Sequence, residues 1–552
     1  MGDDGNTFDF VIVGSGGGST PAALWMHAQG KSVVILEKQD KIGGTSAYSG
    51  GVIWIPDNHI VNEAGAGDSH ARSREYLDGI IGDFLPSSTA AKRDAWIRNG
   101  ARMIEFLEDQ GMQFRHAHWP DYYDNRPGGI ASGRSLAAPL FDINTLGEWG
   151  PKLASSPITA SMPVPSWESV GLFNAKSTWR GKWIGFKMVM RMIFLNKLLG
   201  KNVRGAGNAL QGRLYQQVLK RKVPIWTETA VKDFLVEEGR VVGVVAERQG
   251  KTIEIRARSG VLLNAGGFSR NKAMREKYQP KPTSDSWTQV NPGDTGEMLE
   301  AAMRLGAATD QLDESFWMPS SFMPDDGSYM GFHSPNDLGR PHCIMVGADG
   351  KRFVNESQSY MEVGKAMYQA GAVPGWAILE SRCRKNSIWG PMLPGMTPKK
   401  LIDAGYIRKF DSLDALAEAC GIDREGLAET VERFNRFAKA GVDEDFHRGE
   451  SAYNRYYGDP KNKPNPNLGA IEKPPFYVVA IYPGDVGTCG GVVTDEHARV
   501  LRPDGSPIPG LYATGNTTAA VGGRVYAGAG ASVGPSMTFG FIAARHASRA
   551  NA

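Results

Sequence analysis

Two glycine-rich segments at opposite ends of the 552-residue chain constrain its fold more than any other feature. Residues 8–19 read FDFVIVGSGGGS, and residues 510–540 read GLYATGNTTAAVGGRVYAGAGASVGPSMTFG. The first opens on β-branched and aromatic residues, the pattern of a buried parallel strand. Gly14, Gly16 and Gly17 follow, with Ser15 between them. A small-residue helix is expected from about Ser19 to Gln29, then a second strand, Ser32–Glu37. This is the strand–turn–helix setting in which a G-x-G-x-x-G motif cradles a pyrophosphate. The glycines let the backbone approach the phosphates, and free N–H groups at the helix start favour their charge. Ser19 takes the third glycine position and is small enough for close helix–strand packing. Glu37 closes the second strand where a carboxylate accepts ribose hydroxyls, with Lys38 beside it.

Lys41–Pro56, KIGGTSAYSGGVIWIP, comes next. Its density of glycine and serine reads as a loop running along a long, buried cofactor through Gly43, Gly44, Thr45, Ser46, Ser49, Gly50 and Gly51. A hairpin is expected within Val241–Asn271, ending in the buried strand VLLNAGG with Ala265, Gly266 and Gly267 against the cofactor and Val231 nearby. GLYATGN is a further strand carrying Gly515 and Asn516, followed by Ala531, Ser532 and a helix starting near Gly534. These segments read together as one FAD site; a domain for nicotinamide alone would pass straight from its first βαβ unit into the next helix. The fold class expected is α/β, a Rossmann-like FAD-binding domain of the glutathione-reductase type with an inserted α+β substrate domain. The FAD domain is expected over 1–300 and 475–552, and the substrate domain over 301–474, where SLDALAEACG and REGLAETVERFNRFAKAG repeat apolar residues at helical spacing.

A net charge of +3 predicts no nucleic-acid partner. Cys343, Cys383, Cys420 and Cys489 form no C-x-x-C pair and read as reduced thiols of a cytoplasmic protein, with no metal framework. No stretch of about 18 apolar residues predicts a membrane span. One segment is unusual. From Ser169 to Thr227 there is no acidic residue, while twelve are Lys or Arg. Within it, WRGKWIGFKMVMRMIFLNKLLGK places Arg180, Lys187 and Arg191 at helical spacing, with Trp183, Met190, Ile193, Phe194 and Leu198 as an opposing stripe. Such a helix, in an excursion over about 165–205, suits peripheral contact with an anionic membrane on its inner face through residues 176–204. It equally suits a cover over a pocket or a subunit interface.

The chain resembles the 3-ketosteroid Δ1-dehydrogenases, relatives of the fumarate reductase flavoproteins. The resemblance rests on GSGGGS, GGTSAYSGGVIWIP, PDYYDNRPGG with GRS soon after, GKRFVNESQSYMEV, PGDVGTCGGVVTDEHARVL, GLYATGN and YAGAGASVGPSMTFG. It implies FAD-dependent 1,2-desaturation of a 3-ketosteroid A-ring, with the C1 hydrogen leaving as hydride to flavin N5 and the C2 hydrogen as a proton. It implies that Tyr526 and the backbone N–H of Gly530 hold the C3 oxygen, that Tyr360 accepts the C2 proton, and that a tyrosine of PDYY, Tyr122 or its neighbour Tyr123, assists it. Neutral donors at the ketone and a base near C2 are what such chemistry requires. The electron acceptor is open between a quinone and a soluble carrier, and so is the oligomeric state. Alternatives are a 3-ketosteroid Δ4-dehydrogenase, a fumarate-reductase-like enzyme for dicarboxylates, and a flavin-containing binding or electron-carrier protein.

Overall fold

The computed structural model describes residues 6–82, 86–156, 163–333 and 335–549. The strand Thr7–Val13 is central in an eight-stranded sheet. It pairs in parallel with Val33–Leu36 on one side and Lys251–Leu263 on the other. Lys251–Leu263 then pairs in parallel with Pro507–Ala513, so the two glycine-rich ends lie one strand apart. The expected hairpin is present, Arg240–Arg248 running antiparallel to Lys251–Leu263. The first helix spans Ser19–Ala28, and the last spans Val533–Arg549.

These two helices pack closely because glycine permits it. A Cβ on Gly540 would overlap the Gly18 carbonyl, and a Cβ on Gly18 would overlap the Ser536 carbonyl. Hydrogen bonds complete the seam: Thr514 N–H donates to the Leu263 carbonyl at 2.8 Å, and Thr514 Oγ1 to the Ser536 carbonyl at 2.7 Å. Near the far end, Trp25 Nε1 donates to Ser548 Oγ at 3.2 Å.

The segment Lys41–Pro56 is more ordered than a loop. Gly43, at φ +103°, turns the chain into a short helix, Gly44–Tyr48, which buries Ala47. Val52–Trp54 then forms a strand antiparallel to Ser135–Ala137. The apolar run VIW finds a buried edge, which outweighs the flanking glycines.

A second, six-stranded sheet contains Ser315–Phe322, Tyr329–Phe332, Cys343–Val346, Gly375–Glu380, Arg408–Phe410 and Phe476–Thr488. Residues 476–488, expected with the nucleotide-binding part, are the long strand of this second sheet, paired with Ser315–Phe322 and Gly375–Glu380. The chain rejoins the first sheet at Arg499–Leu501. Both expected helices of this region form, as Leu413–Cys420 and Arg424–Ala440.

The basic segment forms the helix Trp179–Met190, continued by a wider π-helical stretch, Arg191–Leu198. It buries Ile184 but turns most of its other large apolar residues outward. Lys187 pairs with Glu168, and Arg191 Nη1 reaches the Pro163 carbonyl at 3.2 Å. Trp183, Met190, Ile193, Phe194 and Leu198 are exposed, as are Trp179 and Phe186. No helix of the described residues is long and apolar enough to cross a membrane.

Overpacking the helix seam should cost about 1–3 kcal/mol. We expect Gly540→Ala to lower the melting temperature and weaken retention of bound cofactor. Gly185→Ala, where the added methyl meets open space in a helix, should be neutral or stabilising by about 1 kcal/mol. Differential scanning calorimetry of the two variants distinguishes seam packing from a general intolerance of alanine.

Candidate active site

A cavity of about 1080 Å³ runs between the two sheets, and the glycine-rich motifs line one end of it. Gly14 has φ +94°, and a Cβ there would overlap the Asn264 carbonyl. Glycine there lets the turn pack on the end of the neighbouring strand, with Gly14, Ser15 and Gly16 in the cavity wall. Tyr215 Oη donates to the Ser15 carbonyl at 2.6 Å and fixes the turn from behind. The Glu37 carboxylate accepts from Ser15 N–H at 3.2 Å, from the Ser15 hydroxyl, and from Gln39 N–H at 2.9 Å. It is buried, and burial pushes its pKa up. Its remaining acceptor capacity faces the cavity, as a ribose diol requires. Lys38 Nζ is tied to Thr295 and Glu297 at 2.8 and 2.9 Å. Thr45 Oγ1 donates to Asp294 at 2.9 Å, a carboxyl that burial pushes up to about 7. A glycine turn, a helix start, an oriented acid and a long cavity fit an FAD molecule.

Ser15, Gly16, Gly44, Ser46, Ser49, Gly50, Val231, Ala265, Gly266, Gly515, Asn516 and Ser532 also line this cavity. Gly17, Gly43, Gly51, Gly267, Ala531 and Gly534 do not. Gly51, Gly267 and Gly534 pack instead against Ala206, Thr488 and the Trp54 backbone, and Gly43 against Ala47. Gly17 N–H donates to Ser46 Oγ at 3.0 Å. These positions shape the cradle from one layer behind its wall.

At the other end, three tyrosines meet. The ring centroids of Tyr360 and Tyr526 are 5.2 Å apart, those of Tyr122 and Tyr526 5.5 Å, and those of Tyr122 and Tyr360 5.6 Å. Tyr360 opens the helix Tyr360–Gln369, and Phe316 and Tyr453 pack on Tyr526 and Tyr122 at 5.3 and 4.5 Å. Tyr526 Oη lies 3.2 Å from Ser532 Oγ. Tyr123 points elsewhere: its hydroxyl donates to Glu362 Oε1 at 2.9 Å, and it does not line the cavity. Burial is the first cause that raises the pKa of Tyr122, Tyr360 and Tyr526, and for Tyr360 the neighbouring Tyr122 and Tyr526 add to it. All three are neutral phenols in the resting protein.

The loop carrying Tyr526 is held from several sides. The Ala527 carbonyl accepts from Tyr76 Oη at 2.6 Å and Tyr122 N–H at 3.1 Å, and the Ala529 carbonyl from Ser135 Oγ at 2.8 Å. Gly530 has φ +93°, and its carbonyl accepts from Trp54 N–H and Gly534 N–H. Among the described residues no protein acceptor takes the Gly530 N–H, and Gly530 lines the cavity.

Sequence reasoning missed the group that supports Tyr122. Arg134, fully buried, contacts Asp121 through Nη1 and Asp68 through Nε and Nη2 at 2.8 and 2.9 Å. Asp121 also accepts from Trp54 Nε1 at 2.8 Å and Ile130 N–H at 3.1 Å. One guanidinium thus faces two buried carboxylates. Burial, the larger effect, pushes Asp121 up to about 6 despite Arg134. The signal was present in PDYY and GRS, which carry Asp121 and Arg134.

The only Lys or Arg side chains in the cavity wall are Lys38 and Lys232, among the described residues. Lys38 pairs with Glu297 and Lys232 with Glu247, both in the nucleotide-binding part. The tyrosine end therefore presents neutral donors in apolar surroundings, with no cation to neutralise a dicarboxylate.

This fold and cavity define an FAD-binding flavoprotein. Residues 9–533 match the family described as an FAD binding domain. The chain is 41% identical to a 3-oxosteroid 1-dehydrogenase of Mycolicibacterium smegmatis, over 98% of this chain and 97% of that protein. It superposes on the 3-ketosteroid Δ1-dehydrogenase of Sterolibacterium denitrificans, solved with 1,4-androstadiene-3,17-dione, with a TM-score of 0.92 at 37% identity, covering 98% and 99% of the two chains. A 3-ketosteroid Δ4-(5α)-dehydrogenase of Rhodococcus jostii shares the fold at a TM-score of 0.66 and 19% identity, covering 98% of this chain and 97% of that one. The chain belongs to the 3-oxosteroid 1-dehydrogenase family of FAD-dependent oxidoreductases.

Asp121, the residue before Tyr122, is anchored by Arg134, so turnover should fall as pH drops through about 6 and the carboxylate protonates. Asp121→Asn should remove this acid limb from the kcat profile and lower kcat by roughly ten- to a hundredfold. A profile of unchanged shape in the variant would assign the limb to another group.

Proposed function

We propose that this chain desaturates the C1–C2 bond of 3-ketosteroids. The observation that carries the reading is the convergence of Tyr122, Tyr360, Tyr526 and Gly530 on one cavity with the cofactor-cradling glycines. Bound FAD would supply the hydride acceptor for the C1 hydrogen. The phenol of Tyr526 and the N–H of Gly530 donate to the C3 oxygen, where enolate charge develops as C2 loses its proton. Tyr360 receives that proton. Its pKa is raised, so it acts as a neutral phenol, taking the C2 proton as its own moves to the adjacent Tyr122, which releases its own proton in turn past Tyr453 to solvent. Arg134 and Asp121 keep Tyr122 in place for this step. Apolar walls that include Met318, Phe332, Ile388 and Val486 suit a hydrocarbon skeleton. The named activity of the M. smegmatis relative and the steroid bound in the S. denitrificans enzyme support the same substrate class.

Anaerobic addition of androst-4-ene-3,17-dione should bleach the bound flavin, with NMR placing the new double bond between C1 and C2. A new bond at any other position contradicts the assignment. Tyr360→Phe and Tyr526→Phe should each keep yellow FAD and lose turnover by about 10²- to 10⁴-fold. Near-full activity in either variant refutes its role.

Attachment to an anionic membrane surface through residues 176–204 belongs to the same proposal. The helix Trp179–Met190 and the stretch after it expose Trp179, Trp183, Phe186, Phe194 and Leu198, with the exposed cations Arg180, Lys182, Lys197 and Lys201 among them. Singly exposed apolar residues are ordinary, but a contiguous set of this size marks a contact surface. Leu393, also exposed, stands in the cavity wall, and Lys176 Nζ reaches the Lys385 carbonyl in the helix Ser381–Asn386 that precedes it. The apolar face therefore borders the cavity mouth, where a steroid or a quinone acceptor dissolved in lipid would enter. Sedimentation with anionic vesicles should pellet the protein, and Trp179→Ser/Phe186→Ser/Phe194→Ser should leave most of it in the supernatant. Equal pelleting of the two refutes membrane attachment through this face.

A further inference from the structure

Lys92 is a buried cation that the steps above do not use. It is the third residue of the helix Ala90–Asp109 and only 2% exposed. Its ammonium has no hydrogen-bond acceptor among the described residues and sits 5.4 Å from the centroid of the Phe539 ring. The carboxylates acting on it, Asp310 and Asp495, are engaged elsewhere: Asp310 accepts from Ser87 at 2.8 Å, and Asp495 pairs with Arg499 at 2.7 Å. Burial disfavours the charge, and so does the positive end of its own helix. The ammonium thus keeps the attraction of these two carboxylates but no hydrogen-bonded partner of its own.

A small cavity of about 30 Å³ lies beside Lys92. Gly515, Asn516, Ser532 and Ser536 line both this cavity and the large one that fits FAD. Lys92 is thus separated from the cofactor cavity by a wall one residue thick. Hydride transfer from C1 brings the flavin one proton and two electrons and so one added negative charge, while the C2 proton departs separately. We propose that the Lys92 ammonium stabilises this added charge on FAD and raises its reduction potential. The proposal rests on FAD occupying the large cavity and is independent of which substrate is oxidised. Lys92 touches no reacting atom; it acts through the field it sets at the cofactor.

The test uses the full FAD-loaded chain without steroid, photoreduced in the presence of indicator dyes. Near neutral pH, Lys92→Met should lower the equilibrium constant for two-electron reduction about tenfold, or about 30 mV. Burial lowers the Lys92 pKa to about 8, so the two proteins should converge in potential once the pH is well above that value and the lysine is neutral in both redox states. New negative charge beside the ammonium raises its pKa by the same tenfold, so in the window just above about 8 reduction of the wild-type protein should draw up to about half a proton more from the medium than reduction of Lys92→Met. Equal potentials near neutral pH overturn the proposal. Should the variant fail to retain FAD, the wild-type measurement decides: proton uptake on reduction that does not rise between neutral pH and the region above about 8 overturns it equally.

Discussion

The close approach of the first and last helices is the contact on which the rest of the structure depends. Gly18 and Gly540 let the backbones meet where any side chain would hold them apart. That contact fixes Val533–Arg549 against Ser19–Ala28 and so suspends residues 524–532 over the end of the cofactor cavity. The Tyr526 loop then needs only short tethers, from Tyr76, Tyr122, Ser135 and Trp54, to hold its carbonyls. A residue more than 500 positions along the chain from the first strand is thereby delivered to the site that strand begins.

The chemistry of the site follows from its low polarity. Buried phenols resist ionisation, so a tyrosine here can polarise a ketone without presenting a charge that steroid carbon would have to desolvate. The same burial makes a lone tyrosine a poor base. Clustering answers this, because a phenol that passes its proton on while accepting another never becomes a phenolate. Charges are kept one layer back: Arg134 with Asp68 and Asp121 behind Tyr122, and Lys92 behind the cofactor cradle.

Local patterns made the nucleotide-binding half legible. The strand, helix and acid of residues 8–37 are each specified within a few residues, and the hairpin and the strand before Gly515 carry plain alternation. The five glycines that fell behind the wall, Gly17, Gly43, Gly51, Gly267 and Gly534, show the limit: glycine marks close approach but not what approaches. Residues 476–488 were misplaced because a strand's sequence does not name its partner sheet. The basic helix was legible as a helix, but not which face it exposes, since Glu168 captures Lys187 only through tertiary contact. Asp121, Arg134 and Lys92 were hidden for the same reason. Charged residues read as surface unless the fold that buries them is known.

The central claim is that Tyr360 removes the C2 proton while Tyr526 and Gly530 hold the ketone. Proton exchange at C2 tests it without any hydride transfer. With the flavin held reduced in D₂O, the wild-type enzyme should incorporate deuterium at C2 of a bound 3-ketosteroid, followed by NMR, and Tyr360→Phe should not. Equal incorporation by the two proteins would contradict the account.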